Sequence, residues 1–233
     1  MRGVPNVKKA FAKVWGTNDL LTSFDGVSLW RPWNIDPSWK TQSGQAWFHI
    51  DQHPISKPGK QCIQGLINLL PTSKEIGGNV VIPKSHNFFK DLPEEYKERV
   101  ERLPLDIDHF RFPHDDPKLS SESAVMAHME PGDMLLWDSR TIHCSSSGTS
   151  LPEGTNDLIR AASLICMMPK ELSSKEILEK RIHAAENLVS TTNWTNDFRN
   201  ADEFPIILEA ENRDQYKWPK KPNLSDYQKE LIA

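Results

Sequence analysis

Residues 47–54 read WFHIDQHP, and the alternation in this run constrains the fold more than any other feature of the chain. On an extended segment, residues two apart share a face. His49, Asp51 and His53 then point one way, and Phe48 and Ile50 the other. One face of such a strand can seal an apolar core. The other carries groups that a dry core rejects and a metal ion accepts. The chain therefore needs a sheet whose two faces do different work.

The rest of the sequence supplies short strands around this one. LLTSFDGVSLWRP (20–32) is extended, QCIQGLINLL (61–70) is strand-like, and NVVIP (79–83) is a short strand after the turn-rich PTSKEIGG. Gly65 inside QCIQG marks a bulge or a close approach. AVMAHMEPGDMLLWDSRTIHCSS reads as strand, Pro-Gly-Asp turn, strand, and LIRAASLICMMP (158–169) as a continuous buried strand. Helical spacing is confined to 5–15, to about 93–103 with a stripe of Leu92, Tyr96, Val100 and Leu103, and to 173–189. The last begins with a Ser-Ser-Lys-Glu run that resembles a capping box. Residues 104–120 are a Pro- and Asp-rich loop, and the tail from about 197 is polar and Pro-punctuated, wrapped on the surface or partly disordered. This grammar predicts a mainly β chain: a double-stranded β-helix, or cupin-like jelly roll, with flanking helices. We expect one domain over 1–233, with its core at about 20–168 and a C-terminal helix and tail at about 171–233.

His49 and Asp51 supply two metal donors from one strand face. His143 in WDSRTIHCSS supplies a third. Two imidazoles and a carboxylate on one side of a metal leave the opposite positions open, which is the facial arrangement of non-haem Fe(II) oxygenases. The open positions suit a chelating 2-oxo acid and O2. A co-substrate such as 2-oxoglutarate has a second carboxylate, which needs a cationic partner when buried. Arg160 stands alone among apolar neighbours in LIRAASLICMMP, a costly placement unless it meets an anion. Ser145, two residues after His143, shares its face if the segment is extended, and can add a hydrogen bond.

The order H-x-D, then GGNVVIPKSH, then PGDMLLWDSRTIHCSS, then an Arg in the next strand resembles the phytanoyl-CoA dioxygenase family over roughly residues 20–168. The resemblance implies an Fe(II)- and 2-oxoglutarate-dependent dioxygenase on a double-stranded β-helix. Such an enzyme oxidises a small organic substrate, typically by hydroxylation, and releases succinate and CO2. It implies His49, Asp51 and His143 as metal ligands and catalytic centre, and Ser145 and Arg160 as the 2-oxoglutarate partners. Gln64 is the match to a polar residue that the family often places on the strand after H-x-D. Asp51 argues against halogenation, because related halogenases lack the carboxylate.

Blander readings stand beside these. His53 precedes Pro54, where the strand should end, so it is expected at the rim of the site. His86 is expected to cap a turn, His128 to be structural, and His109, His114 and His183 to lie on loops or a helix surface. Gly77-Gly78 reads as a turn. Arg140 faces substrate or simply pairs with Asp138, and Trp33 and Trp47 line a substrate mouth or pack in the core. Cys62, Cys144 and Cys166 lack the spacing of a disulfide framework or a zinc site, so an intracellular, cytoplasmic protein is expected. The net charge of -4 carries no nucleic-acid footprint, and no apolar run approaches the ~20 residues of a membrane span. The N-terminus lacks a signal-peptide core, so the two sequons at Asn193 and Asn223 read as chance matches. Lys57, Lys60 and Lys84 form no basic cluster, which favours a small metabolite over a CoA ester. Two other classes remain open: a cupin-like metalloenzyme that does not use 2-oxoglutarate, and a non-catalytic ligand-binding barrel. Oligomeric state is not legible.

Overall fold

The computed structural model describes residues 1–41, 47–116, 119, 123–198 and 221–233. In chain order the elements are α1 (Pro5–Trp15), β1 (Leu20–Thr22), β2 (Val27–Trp30), β3 (His49–Asp51), β4 (Ile63–Asn68), β5 (Gly77–Val81), α2 (Leu92–Glu95), α3 (Lys97–Arg102), β6 (His109–Arg111), β7 (Val125–Met126), β8 (Met134–Asp138), β9 (His143–Ser147), β10 (Arg160–Pro169), α4 (Lys175–Asn187) and α5 (Asp226–Glu230). The chain divides into two compact units, Val27–Ser163 and Met1–Gly26 with Leu164–Ala233.

The central unit is a jelly roll of antiparallel strands. One sheet runs β6-β3-β9-β5-β7. In the other, β4 pairs with β8, placing Gln64 opposite Trp137, and β2 pairs with the start of β10, placing Trp30 opposite Arg160. In the first sheet, strand parity separates two faces. Phe48, Ile50, Val80, Phe110, Ile142 and Cys144 build one apolar core with Leu92 and Val100 of α2 and α3. Burying each large side chain there contributes roughly 1.5–3 kcal/mol. His49, Asp51, Asn79, His143 and Ser145 fall on the opposite face, inside the roll.

Several local expectations are corrected. Gly77-Gly78 is the start of β5 rather than a turn, because β5 and β9 approach closely there. Gly77 has φ +100, and an added Cβ would collide with the Ser146 carbonyl. Gly65 keeps regular register opposite Leu136 instead of forming a bulge. The middle helix is two, broken at Tyr96 (φ -119, ψ 35), whose hydroxyl donates to Asp116 at 2.6 Å. Residues 109–111 are a strand, not loop. The segment read as strand, turn, strand holds three strands, with the tight turn Ser139–Thr141 between β8 and β9. Helix α4 is capped by Ser174 alone, whose hydroxyl accepts from Ile177 N–H, because N3 is Ile177 and cannot complete a capping box. A true capping box, Ser225 with Gln228, opens α5 in the tail read as irregular. The greater part of that tail expectation, 199–220, lies outside the described residues.

The terminal unit pairs β1 with the end of β10, Leu20 opposite Pro169. Its centre is Arg181 of α4, 1% exposed and stacked over Phe24 at 4.7 Å. The guanidinium donates to four carbonyls: Thr22 (2.6 Å), Ile232 (2.7 Å), Leu231 (3.2 Å) and Thr195 (3.3 Å). Burial pulls its pKa down to about 10, which leaves it charged at neutral pH. Replacing Arg181 with Met keeps apolar bulk and strips four buried carbonyls of a charged donor. The expected loss is about 2–4 kcal/mol of unfolding free energy, read by urea titration, with Arg181→Lys recovering part of it.

Candidate metal centre

Strand β3 presents His49 and Asp51, and the pairing of β3 with β9 sets His49 directly opposite His143. One ligand atom from each of the three residues lies within 4.8 Å of the others. His143 Nε2 is 3.3 Å from one Asp51 carboxylate oxygen, and His49 Nε2 is 3.8 Å from the other. Both imidazoles are held the same way. His49 Nδ1 is 2.9 Å from the Trp47 carbonyl, and His143 Nδ1 is 2.8 Å from the Thr141 carbonyl. A carbonyl only accepts, so each Nδ1 carries the proton and each Nε2 turns its lone pair to the centre. The donor set suits a divalent iron ion with open positions.

Burial lowers the His49 pKa from 6.5 to about 3, and the neighbouring His143 adds to the shift, so His49 is neutral and ligand-ready. Burial works to raise the Asp51 carboxyl. The surrounding imidazoles of His49, His109 and His143 outweigh it and hold the group well below the usual carboxylate range.

Asp51 is clamped from two sides. Gln64 Nε2 donates to one oxygen at 2.8 Å, and His109 Nδ1 lies 3.3 Å from the other. His109 faces the site because β6 pairs it with Asp51, and its ring stands 4.5 Å from that of His49. The expectation of a loop or helix-surface residue is thus corrected. The alternation of HFRF (109–112) marks the strand, but its pairing with β3 is not in the local pattern. Trp137 was also missed; it lies opposite Gln64, with its ring 5.3 Å from His143. His53 does not line a rim. It is fully buried, and its Nδ1 accepts from the N–H groups of Ile55 and Ser56, both at 3.0 Å, which folds the turn after β3.

Arg160 enters from the opposing sheet. It is 1% exposed and lies over Trp30 at 4.4 Å. Its NH1 reaches only hydroxyls at long range, Ser145 at 3.4 Å and Ser28 at 3.5 Å, and its Nε has no partner. Burial pulls its pKa down to about 10, still charged at neutral pH. Gln64 Oε1, Asn79 Oδ1 and Trp137 Nε1 are likewise buried without a partner. Orphaned polar atoms are rare in folded chains, and two of these residues stand against the triad, Gln64 bonded to Asp51 and the Trp137 ring 5.3 Å from His143. A dicarboxylate fits the unpaired guanidinium.

The remaining site candidates divide. Trp47 stacks on His49 at 5.0 Å and donates to the Ser145 carbonyl at 2.7 Å, so it belongs to the centre's wall. Trp33 lies against Lys40. Arg140 is gripped by both oxygens of Asp138, at 2.8 and 2.7 Å, the structural alternative. Burial lifts the Cys144 thiol to about 12, and it sits in the core on the face away from the centre.

A jelly roll with this inward donor set belongs to the cupin-like class of β-barrels. Residues 16–151, more than half the chain, match the family model "Phytanoyl-CoA dioxygenase (PhyH)", and the chain belongs to that family. It is 33% identical over 199 residues to "Ava biosynthesis cluster protein O" of Aspergillus versicolor, covering 82% of this chain and 60% of that one. The chain spans 60% of the length of the curated relatives it matches. Among solved structures, similarity extends to AviO1 from Streptomyces viridochromogenes (15% identity, TM-score 0.44, 72% of this chain and 59% of that one). It also extends to the epimerase SnoN in complex with Fe3+, alpha ketoglutarate and nogalamycin RO (15% identity, TM-score 0.41, 72% and 56%).

Two outcomes follow. From pH 6.5 downwards the unfolded chain protonates His49, whereas the folded metal-free chain does so only at about 3. The unfolded state therefore binds more protons in this window, and stability falls as pH falls through it. His49→Gln is expected to flatten this limb in urea titrations. Second, removing the Asp51 clamp, by Gln64→Leu or His109→Phe, should weaken Fe(II) binding about 10-fold or more, measured anaerobically by calorimetry.

Proposed function

We propose that this chain is a 2-oxoglutarate-dependent non-haem iron dioxygenase that hydroxylates, or otherwise oxidises, a small organic substrate with release of succinate and CO2. The single observation that carries the reading is Arg160: a buried cation, beside the His-Asp-His centre, whose best contacts are two hydroxyls at 3.4 and 3.5 Å. A guanidinium in that state calls for a carboxylate. A metal site alone would not require it. Family membership supports the same chemistry.

In this reading His49, Asp51 and His143 hold Fe(II), and Arg160 and Ser145 hold the distal carboxylate of 2-oxoglutarate. The bound iron, 2-oxoglutarate and O2 together supply the oxidising power. The chain's own work is geometric and electrostatic. The Trp47 and Thr141 carbonyls fix the two imidazole tautomers, and Gln64 and His109 fix the Asp51 carboxylate. Trp30, Trp47 and Trp137 wall the space with aromatic surface and exclude water. Arg160 remains protonated and sets the co-substrate's orientation relative to the triad. Lys57 is paired with Asp108 at 2.6 Å, so it is not held ready for a phosphate, which favours a small metabolite over a CoA ester. Among the described residues no helix is long and apolar enough to cross a membrane.

The test is an anaerobic titration of metal-free protein with Fe(II) and then 2-oxoglutarate, following the visible charge-transfer band of the chelate. Intact protein should give the band. His143→Ala should lose it with the metal, and Arg160→Ala should keep Fe(II) but need roughly 100-fold more 2-oxoglutarate. Fe(II) uptake without any band would sink the 2-oxoglutarate assignment.

A further inference from the structure

The sheet that bears the triad places one more polar side chain on its inner face. Asn79 of β5 lies directly opposite Ser145 of β9, and the neighbouring pair, Val80 with Cys144, belongs to the apolar core on the other face. Parity therefore turns Asn79 inward with Ser145 and His143. Asn79 is 5% exposed, and its Oδ1 is buried with no hydrogen-bond partner. Ser145, across the ladder, is the residue whose hydroxyl reaches Arg160. Directly opposed side chains in an antiparallel pair stand about 4.5–5.5 Å apart at Cβ, so a carboxamide at 79 reaches whatever group Ser145 and Arg160 hold. Folding alone gives no reason for this residue: a Leu of similar volume would avoid the penalty of an unpaired buried amide.

We infer that Asn79 is a specificity-determining residue for the co-substrate, donating from its amide to the distal carboxylate of the 2-oxo acid held by Arg160 and Ser145. The inference rests on the functional reading above. A carboxamide can present either its acceptor or its two donors to the space. Beside an anion, the donors face it. Asn79 thereby selects a dicarboxylic 2-oxo acid over a monocarboxylic one.

The experiment loads the protein with Fe(II) anaerobically and measures binding of 2-oxoglutarate and of 2-oxovalerate, which has a methyl group in place of the distal carboxylate. Calorimetry and the charge-transfer band are the readouts, with thermal melting of the metal-free protein beside them. Asn79→Leu should weaken 2-oxoglutarate roughly 10-fold or more, and leave 2-oxovalerate within about twofold. Its melting temperature should hold or rise, whereas a merely structural Asn79 predicts a fall. Asn79→Asp should weaken 2-oxoglutarate further, through like-charge repulsion. Unchanged 2-oxoglutarate affinity in Asn79→Leu would overturn the inference alone. An equal loss for both oxo acids, or a lower melting temperature, would overturn it too. Intact protein that takes up Fe(II) but neither oxo acid would overturn the functional reading, and the inference with it.

Discussion

Everything in the central unit hangs on the register between β3 and β9. A single pairing, His49 opposite His143, brings together donors that are far apart in sequence. Strand side chains alternate, so a slip of one residue would send His143 into the core and bring Cys144 inward. The neighbouring structure blocks that slip. Ile142 N–H donates to the buried Ser85 hydroxyl at 2.7 Å, and Ile82 N–H donates to the Ile142 carbonyl at 2.9 Å. At the far end of β9, Gly77 and Gly148 allow backbone contacts too close for any side chain. The hydrophobic face does the rest: Phe48, Ile50, Val80 and Cys144 are all in one core, and the polar face follows from parity.

That constraint separates two tasks. The outer face of the sheet is saturated with apolar contacts and carries the stability. Its inner face leaves an unpaired atom on Asn79, and the opposing sheet leaves others on Gln64, Trp137 and Arg160. Each such atom costs folding free energy, on the order of 1–3 kcal/mol for a neutral group. A chain selected for stability alone would replace them. Gln64 and Trp137 stand against Asp51 and His143, and Asn79 and Arg160 flank Ser145, as a preorganised polar binding site requires.

The sequence disclosed the inner face where the chemistry was local and hid it where the chemistry was distant. His-x-Asp on a strand is visible because periodicity alone puts both side chains on one face, and a lone Arg in an apolar strand is visible because it has no other business there. His109 was hidden because its role comes from the pairing of β6 with β3, which no local pattern encodes. His53 was misjudged for the opposite reason. It shares the parity of His49 and Asp51, but the chain turns at Pro54, and the imidazole closes that turn by accepting from Ile55 and Ser56. The start of α4 shows a local limit: Ser-Ser-Lys-Glu resembles a capping box, but Ser174 is the cap and N3 is Ile177, so the box is not completed.

The two buried arginines show how far burial alone can be read. Arg160 and Arg181 are each 1% exposed, each lies over an aromatic ring, and burial lowers the pKa of each to about 10. Depth does not tell them apart. Their hydrogen bonds do. Arg181 meets four backbone carbonyls, two of them at 2.6 and 2.7 Å, and its charge is spent on joining α4 to β1 and the C-terminal segment. Arg160 meets two hydroxyls at the limit of hydrogen-bond distance and leaves Nε unpaired. The same side chain at the same depth is a completed structural joint in one case and a sparsely bonded cation in the other. What separates them is the count of satisfied donors, and it is this count, not depth, that supports the proposed anion-binding role of Arg160.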